Sequence, residues 1–116
     1  MPVRTADLDF TIANGASLSD ARQLNAVMAE AITMPAAWTA AGLSFAASAT
    51  QAGTFLPLFD ALGVEITLTV LANQRIVLPM GLIRSHNWLR LRSGTSAVPV
   101  NQGGARSLIL LTRDFA

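Results

Sequence analysis

The chain has 116 residues, enough for one hydrophobic core, so we expect a single domain spanning residues 1–116. It contains no cysteine, which excludes a disulfide framework, a thiolate metal site and a cysteine nucleophile. It also contains no tyrosine and only one histidine. Only 13% of the residues are charged, 52% are hydrophobic and the net charge is +1, so the basic footprint of a nucleic-acid-binding protein is missing.

The apolar excess predicts assembly. Mean hydropathy is +0.46, and a chain with so few charges would expose apolar surface as a monomer, so we expect a homo-oligomer or a larger assembly. No apolar run reaches the roughly 18–20 residues that span a bilayer. Residues 1–9 carry acids where a signal peptide is basic and then apolar, so they predict no export signal. We expect them to form an N-terminal arm that is either extended or ordered by a partner.

Residues 19–34 support two interpretations. Apolar side chains at Leu24, Val27, Met28, Ala31 and Ile32 follow helical spacing, and alanine enrichment also favours an amphipathic helix. The other interpretation is a pair of strands, at about residues 21–25 and 30–34, joined by a turn. Local pattern leaves both open.

Alternation of apolar and polar residues dominates the chain after residue 42 and predicts half-buried strands. It is unbroken over residues 64–70 and recurs at residues 43–48 and 88–92. Further strands are predicted at residues 54–59, 74–78 and 107–111. Pro57 indicates an edge or a bulge for the first of these, because proline cannot donate to a ladder.

Turn signals separate these strands at intervals of about 8–12 residues, the spacing of a sandwich or barrel. We therefore predict an all-β protein, an antiparallel sandwich of two sheets, with its longest loop at residues 93–104. The predicted core comprises the inward strand positions and one tryptophan: Trp38, Leu43, Phe45, Phe55, Val64, Ile66, Leu68, Val70, Leu89, Leu91, Leu108 and Leu110.

Three blocks of sequence carry a family resemblance. They are Thr-Ile-Ala-Asn-Gly-Ala-Ser-Leu-Ser at residues 11–19, Met-Pro-Ala-Ala-Trp at residues 34–38, and Arg-Ser-Gly-Thr…Pro-Val-Asn-Gln…Arg within residues 92–106. In this order, and over roughly residues 10–113, the chain resembles small virion proteins of tailed bacteriophages and of phage-derived gene transfer agents that have a discoidin-like core.

The resemblance implies a discoidin-like jelly roll, in which residues 21–34 supply strands and residues 88–92 form a central strand. It also implies a structural role in the virion, as a head decoration or cement protein or a head spike that binds the capsid shell. A tail-associated protein is the alternative location. The expected partners are capsid or tail structural proteins, and the chain would be made in the host cytoplasm. Discoidin-like domains can carry calcium, but Asp60 and Glu65 do not form a recognised calcium loop, so no metal or cofactor is expected.

Trp88, Arg90 and Arg92 share one face of their predicted strand and form the candidate interface or ligand face. One interpretation is a platform for a glycan or a phosphate. The favoured one is a ladder of cation–π and ion pairs that faces solvent or another subunit. A carbohydrate- or receptor-binding module is therefore the alternative function. His86 has no catalytic partner in a motif, so we expect no enzymatic activity.

Overall fold

The structure, a computed structural model, describes residues 5–24, 27–79, 82–83 and 88–114. Within them every regular element is a β-strand, and all strand pairs are antiparallel in two sheets, which confirms the predicted all-β class. The strands are β1 Thr5–Ile12, β2 Arg22–Gln23, β3 Val27–Thr33, β4 Leu43–Ser48, β5 Leu56–Pro57, β6 Thr67–Leu68, β7 Arg75–Val77, β8 Trp88–Ser93 and β9 Arg106–Asp114.

The first sheet has the order β1-β9-β3-β7, and the second has the order β2-β8-β4-β5, with β6 also paired to β4. β9 is the longest strand and pairs with β1 from Thr5↔Arg113 to Ile12↔Arg106. β8 lies between β2 and β4, so the strand expected at residues 88–92 is interior to its sheet. β5 lies at the sheet edge, where its proline needs no ladder partner.

The core lies between the sheets and is built from strand positions that alternate with exposed ones. Seven of the expected core residues are buried: Leu43, Phe45, Val70, Leu89, Leu91, Leu108 and Leu110. Trp38, Ile66 and Leu68 are half-buried and pack against this core. β1 and β3 add further fully buried side chains, Phe10, Ile12 and Ile32.

Two expected core residues lie elsewhere. Val64 is 60% exposed, because it belongs to a hairpin that runs beyond the sheet edge. Phe55 is half-buried and stacks on Arg90, which shares its face of β8 with Trp88 and not with the inward Leu89 and Leu91. Alternation marks which residues share a face, but it does not say which face meets the core.

Within residues 19–34, Arg22–Gln23 and Val27–Thr33 form strands, so the strand interpretation holds for the described part of this segment. β3 pairs with β9 on one side and with β7 on the other, so both rows of its backbone groups are satisfied by neighbouring strands. Its side chains are buried or half-buried on both faces. The ladder shifts register between Ala29 and Ala31, and this bulge interrupts simple alternation, which explains why the segment lacks a clear strand pattern.

The strand predicted at residues 64–70 is shorter in the structure. Only Thr67–Leu68 forms a strand, paired with Leu43 and Ser44 of β4. The preceding Glu65 forms an isolated bridge with Phe59 instead. The N-terminal strand Thr5–Ile12 is not among the predicted strands, because its solvent-facing positions and short apolar run form a weak pattern. Residues 1–9 are predicted as an arm, but their described part, residues 5–9, pairs with β9 of the same chain.

Candidate functional site

The candidate face predicted from sequence lies on the solvent side of the second sheet. Trp88, Arg90 and Arg92 are half-buried, on the face opposite the fully buried Leu89 and Leu91. The neighbouring strand β4 places small residues directly opposite them: Ser48 opposite Trp88, Ala46 opposite Arg90, and Ser44 opposite Arg92. Ala46 and Ser44 are fully buried although they face outward, so larger side chains cover this strip of the sheet.

Arg90 is held in place by an aromatic ring. Its Cζ lies 4.5 Å from the centroid of Phe55, within the range of a cation–π contact. Its Nε is buried and has no hydrogen-bond partner in the described part of the chain. The predicted cation–π pairing on this face therefore involves Phe55, which comes from the segment that leads into β5.

Arg92 is committed to a carboxylate. Its guanidinium nitrogen lies 3.4 Å from Glu65 Oε2, and the two side chains are only 13% and 12% exposed. Ser96 donates to the same carboxylate from its backbone amide at 3.1 and 3.2 Å and from its hydroxyl at 3.0 Å. Through Arg92 and Ser96, Glu65 joins the segment before β6 to β8 and to the loop after it, and it neutralises the charge that would bind a phosphate.

The two residues considered for calcium have other roles. Glu65 is occupied as above, and Asp60 Oδ1 accepts hydrogen bonds from the amides of Leu62 and Val64 at 2.8 and 3.0 Å. Among the described residues, no three acids or histidines lie close enough together to hold a metal ion.

A β-hairpin formed by residues 58–66, here called the apolar hairpin, adjoins this face. The carbonyl of Leu58 accepts a hydrogen bond from the amide of Ile66 at 2.9 Å, and the amide of Asp60 donates to the carbonyl of Val64 at 2.8 Å. Gly63 closes the turn with φ +79°, a left-handed conformation suited to glycine. With Asp60 also capping the turn through its side chain, the tip is held in one conformation.

The apolar hairpin exposes large hydrophobic side chains. Leu62 at the turn is 88% exposed. Phe59 pairs with Glu65 and shares its face of the hairpin. Val64 is the neighbour of Glu65 in sequence, so the side chain of Val64 projects from the opposite face. Nearby segments add Leu56 and Val98. Five of the seven large exposed hydrophobic residues in the described chain belong to this region.

A shallow groove of about 360 Å³ lies beside β3 and β7 of the first sheet. Its acidic lining residue, Glu30, forms an ion pair with Arg113 at 3.1 Å. The described lining of the groove therefore offers no unpaired carboxylate for acid–base chemistry. The lining residues are Met28, Ala29, Glu30, Ala31, Arg75, Val77, Leu78 and Leu111.

The other aromatic and titratable candidates contribute little to a site. Trp38 packs against the core, and its indole N–H donates to the carbonyl of Ala41 at 3.2 Å. Its ring therefore contributes to the end of the core. His86 lies outside the described residues.

No protein-family model, no curated protein and no solved structure matches this chain. No helix within the described ranges has the length and apolar character needed to cross a membrane. The apolar hairpin is the main feature that the sequence interpretation missed. Its signal in the sequence is the turn at residues 60–63, which the strand pattern treats only as a separator between two strands.

Proposed function

We propose that this protein is a structural component of a tailed phage or phage-like particle, a head decoration or cement protein or a head spike that binds the capsid shell. The observation that carries the proposal is the apolar hairpin, a hydrogen-bonded projection that exposes Phe59, Leu62 and Val64 to solvent. An apolar side chain held at a fixed tip supplies binding energy with little loss of conformational entropy. The blocks of sequence that resemble phage virion proteins supply the particular setting.

The strand order supports a jelly roll as the finer architecture. Along the chain, β1, β3, β7 and β9 belong to one sheet, and β2, β4, β5, β6 and β8 belong to the other. If β5 and β6, which pair with the same edge of β4, are counted as one interrupted strand, eight strands remain, as in a jelly roll of two Greek keys. Viral capsid domains use this architecture, and the discoidin-like variant is part of the same proposal.

The way charges are paired also favours protein contact over anion binding. Arg92, Arg113 and Arg22 form ion pairs with Glu65, Glu30 and Asp20. Broad contact through apolar groups then provides most of the affinity, at about 25 cal/mol per Å² of apolar surface removed from water. A specific interface buries about 1,200–2,000 Å² in total, and repetition over a shell adds avidity.

The test is binding to particles assembled in cells that lack this chain. Purified protein is added to such particles, and co-sedimentation is measured for the natural chain and for the Leu62→Asp variant. We expect the natural chain to co-sediment and the variant to lose most of its binding, because a carboxylate cannot be buried unpaired in an apolar contact. Gln51→Asp adds the same charge on an exposed turn and should bind normally. Failure of the natural chain to bind heads or tails would overturn the proposal.

A carbohydrate- or receptor-binding module is the second candidate. The observation in its favour is the half-buried ring of Trp88, which shares its face of the second sheet with the guanidinium group of Arg90. An aromatic ring next to a guanidinium group suits a sugar ring with hydroxyl groups. A glycan array with the natural chain and Trp88→Ala tests it. Absence of hits, or hits that the variant retains, would remove this candidate.

A further inference from the structure

β1 and β7 are the edge strands of the first sheet, and the outer backbone groups of β7 have no partner in the described part of the chain. In an antiparallel ladder, successive residues direct their N–H and C=O groups to opposite sides. The amide of Leu78 donates to the carbonyl of Glu30 at 2.8 Å, so the even-numbered residues of this segment direct their backbone groups toward β3. Arg75 and Val77 therefore direct their backbone groups away from the sheet, and no described residue bonds to them.

The outer edge of β1 is covered over only part of its length. Thr11 exchanges hydrogen bonds with Asp20, and the carbonyl of Asp9 accepts one from Arg22 Nε at 2.8 Å. These contacts show that the odd-numbered residues of β1 direct their backbone N–H and C=O groups away from β9. Between residues 5 and 9, the remaining outward N–H and C=O groups have no partner in the described part of the chain. An unprotected edge of this kind is a template for pairing with another strand.

The two free edges carry opposite charges on the same face of the sheet. Ile76 of β7 and Leu8 of β1 pack against the core, so their neighbours Arg75, Asp7 and Asp9 project from the solvent face. All three are exposed, and none forms an ion pair with a described residue. Val77, beside Arg75, is 81% exposed.

We propose that copies of this chain join edge to edge, with β7 of one copy paired to β1 of the next in a continuous first sheet. The register that aligns the charges places Arg75 opposite Asp7 and Val77 opposite Thr5, with Asp9 as the diagonal neighbour of Arg75. Residues opposite each other in an antiparallel pair lie on the same face, so the guanidinium meets both carboxylates.

Strand direction is compatible with a closed ring. Adjacent strands of the first sheet are antiparallel throughout, so β7 runs opposite to β1. Rotation about an axis parallel to the strands preserves these directions, and β7 then meets the next copy's β1 in antiparallel orientation. Head-to-tail contacts related by such a rotation close into a ring when the rotation angle divides a full turn, and closure leaves no free edge in this sheet.

A second copy fits these edges better in this arrangement than in a two-fold pair. Joining β1 to the β1 of a second copy would place Asp7 and Asp9 against Asp7 and Asp9 of that copy. Like charges opposite each other destabilise a ladder. The inference deepens the proposed assembly role and rests on it for its biological purpose. Its test uses purified protein alone, so it can fail while binding to particles succeeds.

Charge exchange between two variants of the full chain tests the pairing. Solution mass is measured by light scattering at low salt for the natural chain, for Arg75→Glu and for Asp7→Arg/Asp9→Arg. We expect the natural chain to form a defined oligomer and each variant alone to be monomeric, because like charges then meet at every junction. In an equimolar mixture, alternating copies of the two variants present opposite charges at every junction, so assembly should be recovered with an even number of copies. Gln51→Arg, on an exposed turn of the second sheet, should assemble normally.

Val77→Pro provides a test through the backbone. The backbone N–H of Val77 faces outward. Replacing Val77 with proline therefore leaves the β3–β7 ladder intact but removes the N–H that would bond to the next copy. We expect an unchanged unfolding midpoint at low concentration and loss of the oligomer. A monomeric natural chain would overturn the proposal. An oligomer whose mass is unaffected by the edge variants would also overturn it and would assign assembly to another surface.

Discussion

Gly94 illustrates how a single residue determines the path of the chain after β8. Its φ is +86°, and its amide donates to the carbonyl of Gly42 at 2.8 Å. Its own carbonyl accepts from the hydroxyl of the buried Ser44 at 2.8 Å. A Cβ here would collide with the carbonyl oxygen of Val98. Glycine is therefore required by both backbone conformation and space.

Gly94→Ala and Gly15→Ala form a matched pair. Gly15 has a similar φ of +80°, but a Cβ there would meet nothing within 4 Å. We expect Gly15→Ala to cost about 1–2 kcal/mol in free energy of unfolding, from conformation alone. Gly94→Ala should cost about 3 kcal/mol or more, because a backbone clash is added. Urea unfolding of both variants measures the difference, and equal losses would contradict the packing described around Gly94.

Gln102 shows what sequence could not reveal about the same loop. Gln102 lies in the segment predicted as the longest loop, residues 93–104, yet it is 1% exposed. Its amide group donates to Ser93 Oγ and to the carbonyl of Thr39 at 2.7 and 3.1 Å. Its Oε1 accepts from the amide of Thr39 and from Arg106 Nε at 2.8 and 3.1 Å. Because Thr39 is remote in sequence, no local pattern predicts this network.

At the level of the element, the segment from residue 64 to residue 70 changes role along its length. Its alternation predicts one strand, but Val64 belongs to the apolar hairpin, whereas Val70 is 4% exposed and packs in the core. The cause is the Asp60–Gly63 turn, which pairs residues 64–66 with residues 58–60 before β6 reaches β4. Strand pairing therefore changes within an unbroken sequence pattern.

Val70→Ala and Val64→Ala test this division directly. Both remove the same two methyl groups from positions that the sequence pattern treats alike. We expect Val70→Ala to lower the free energy of unfolding by about 2 kcal/mol, since buried methyl groups are lost and a cavity remains. Val64→Ala should change it by no more than about 0.5 kcal/mol. Chemical denaturation measures both, and a large loss at Val64 would mean that the hairpin packs into the core.

β3 shows the opposite case, in which local pattern left a helix and a pair of strands both open. Its apolar residues follow helical spacing, but β9 and β7 flank it on both sides, and both its faces are largely covered. A strand buried on two faces needs no alternation. Tertiary pairing thus overrides the modest helix propensity of alanine-rich sequence.

For the molecule as a whole, pairing of β1 with β9 joins the two ends of the chain. Thr5 lies opposite Arg113, and the fully buried Phe10 lies opposite Leu108. Such distant pairing requires a large loop to close before its contacts form. All-β domains of this kind refold on the order of milliseconds to seconds.

Phe10→Ala tests the order in which these contacts form. The variant removes a fully buried ring and should cost about 3–5 kcal/mol in free energy of unfolding. We infer from the large loop between β1 and β9 that these strands pair after the folding transition state, so most of this loss should appear as faster unfolding. Stopped-flow refolding and unfolding rates measure it, with the exposed Thr11→Ala as control. If refolding slowed by the full amount, β1 would belong to the folding nucleus.

The sequence by itself determined the all-β class, the positions of most strands from residue 43 onward, the edge placement of Pro57 and the shared face of Trp88, Arg90 and Arg92. These follow from local alternation and backbone chemistry, which act over a few residues. Tertiary structure decided that Phe55 stacks on Arg90, that Glu65 neutralises Arg92, that Val64 projects on a hairpin and that Asp7 and Arg75 lie at opposite edges of one sheet. Each depends on pairing between distant segments, which is set by the packing of the whole chain.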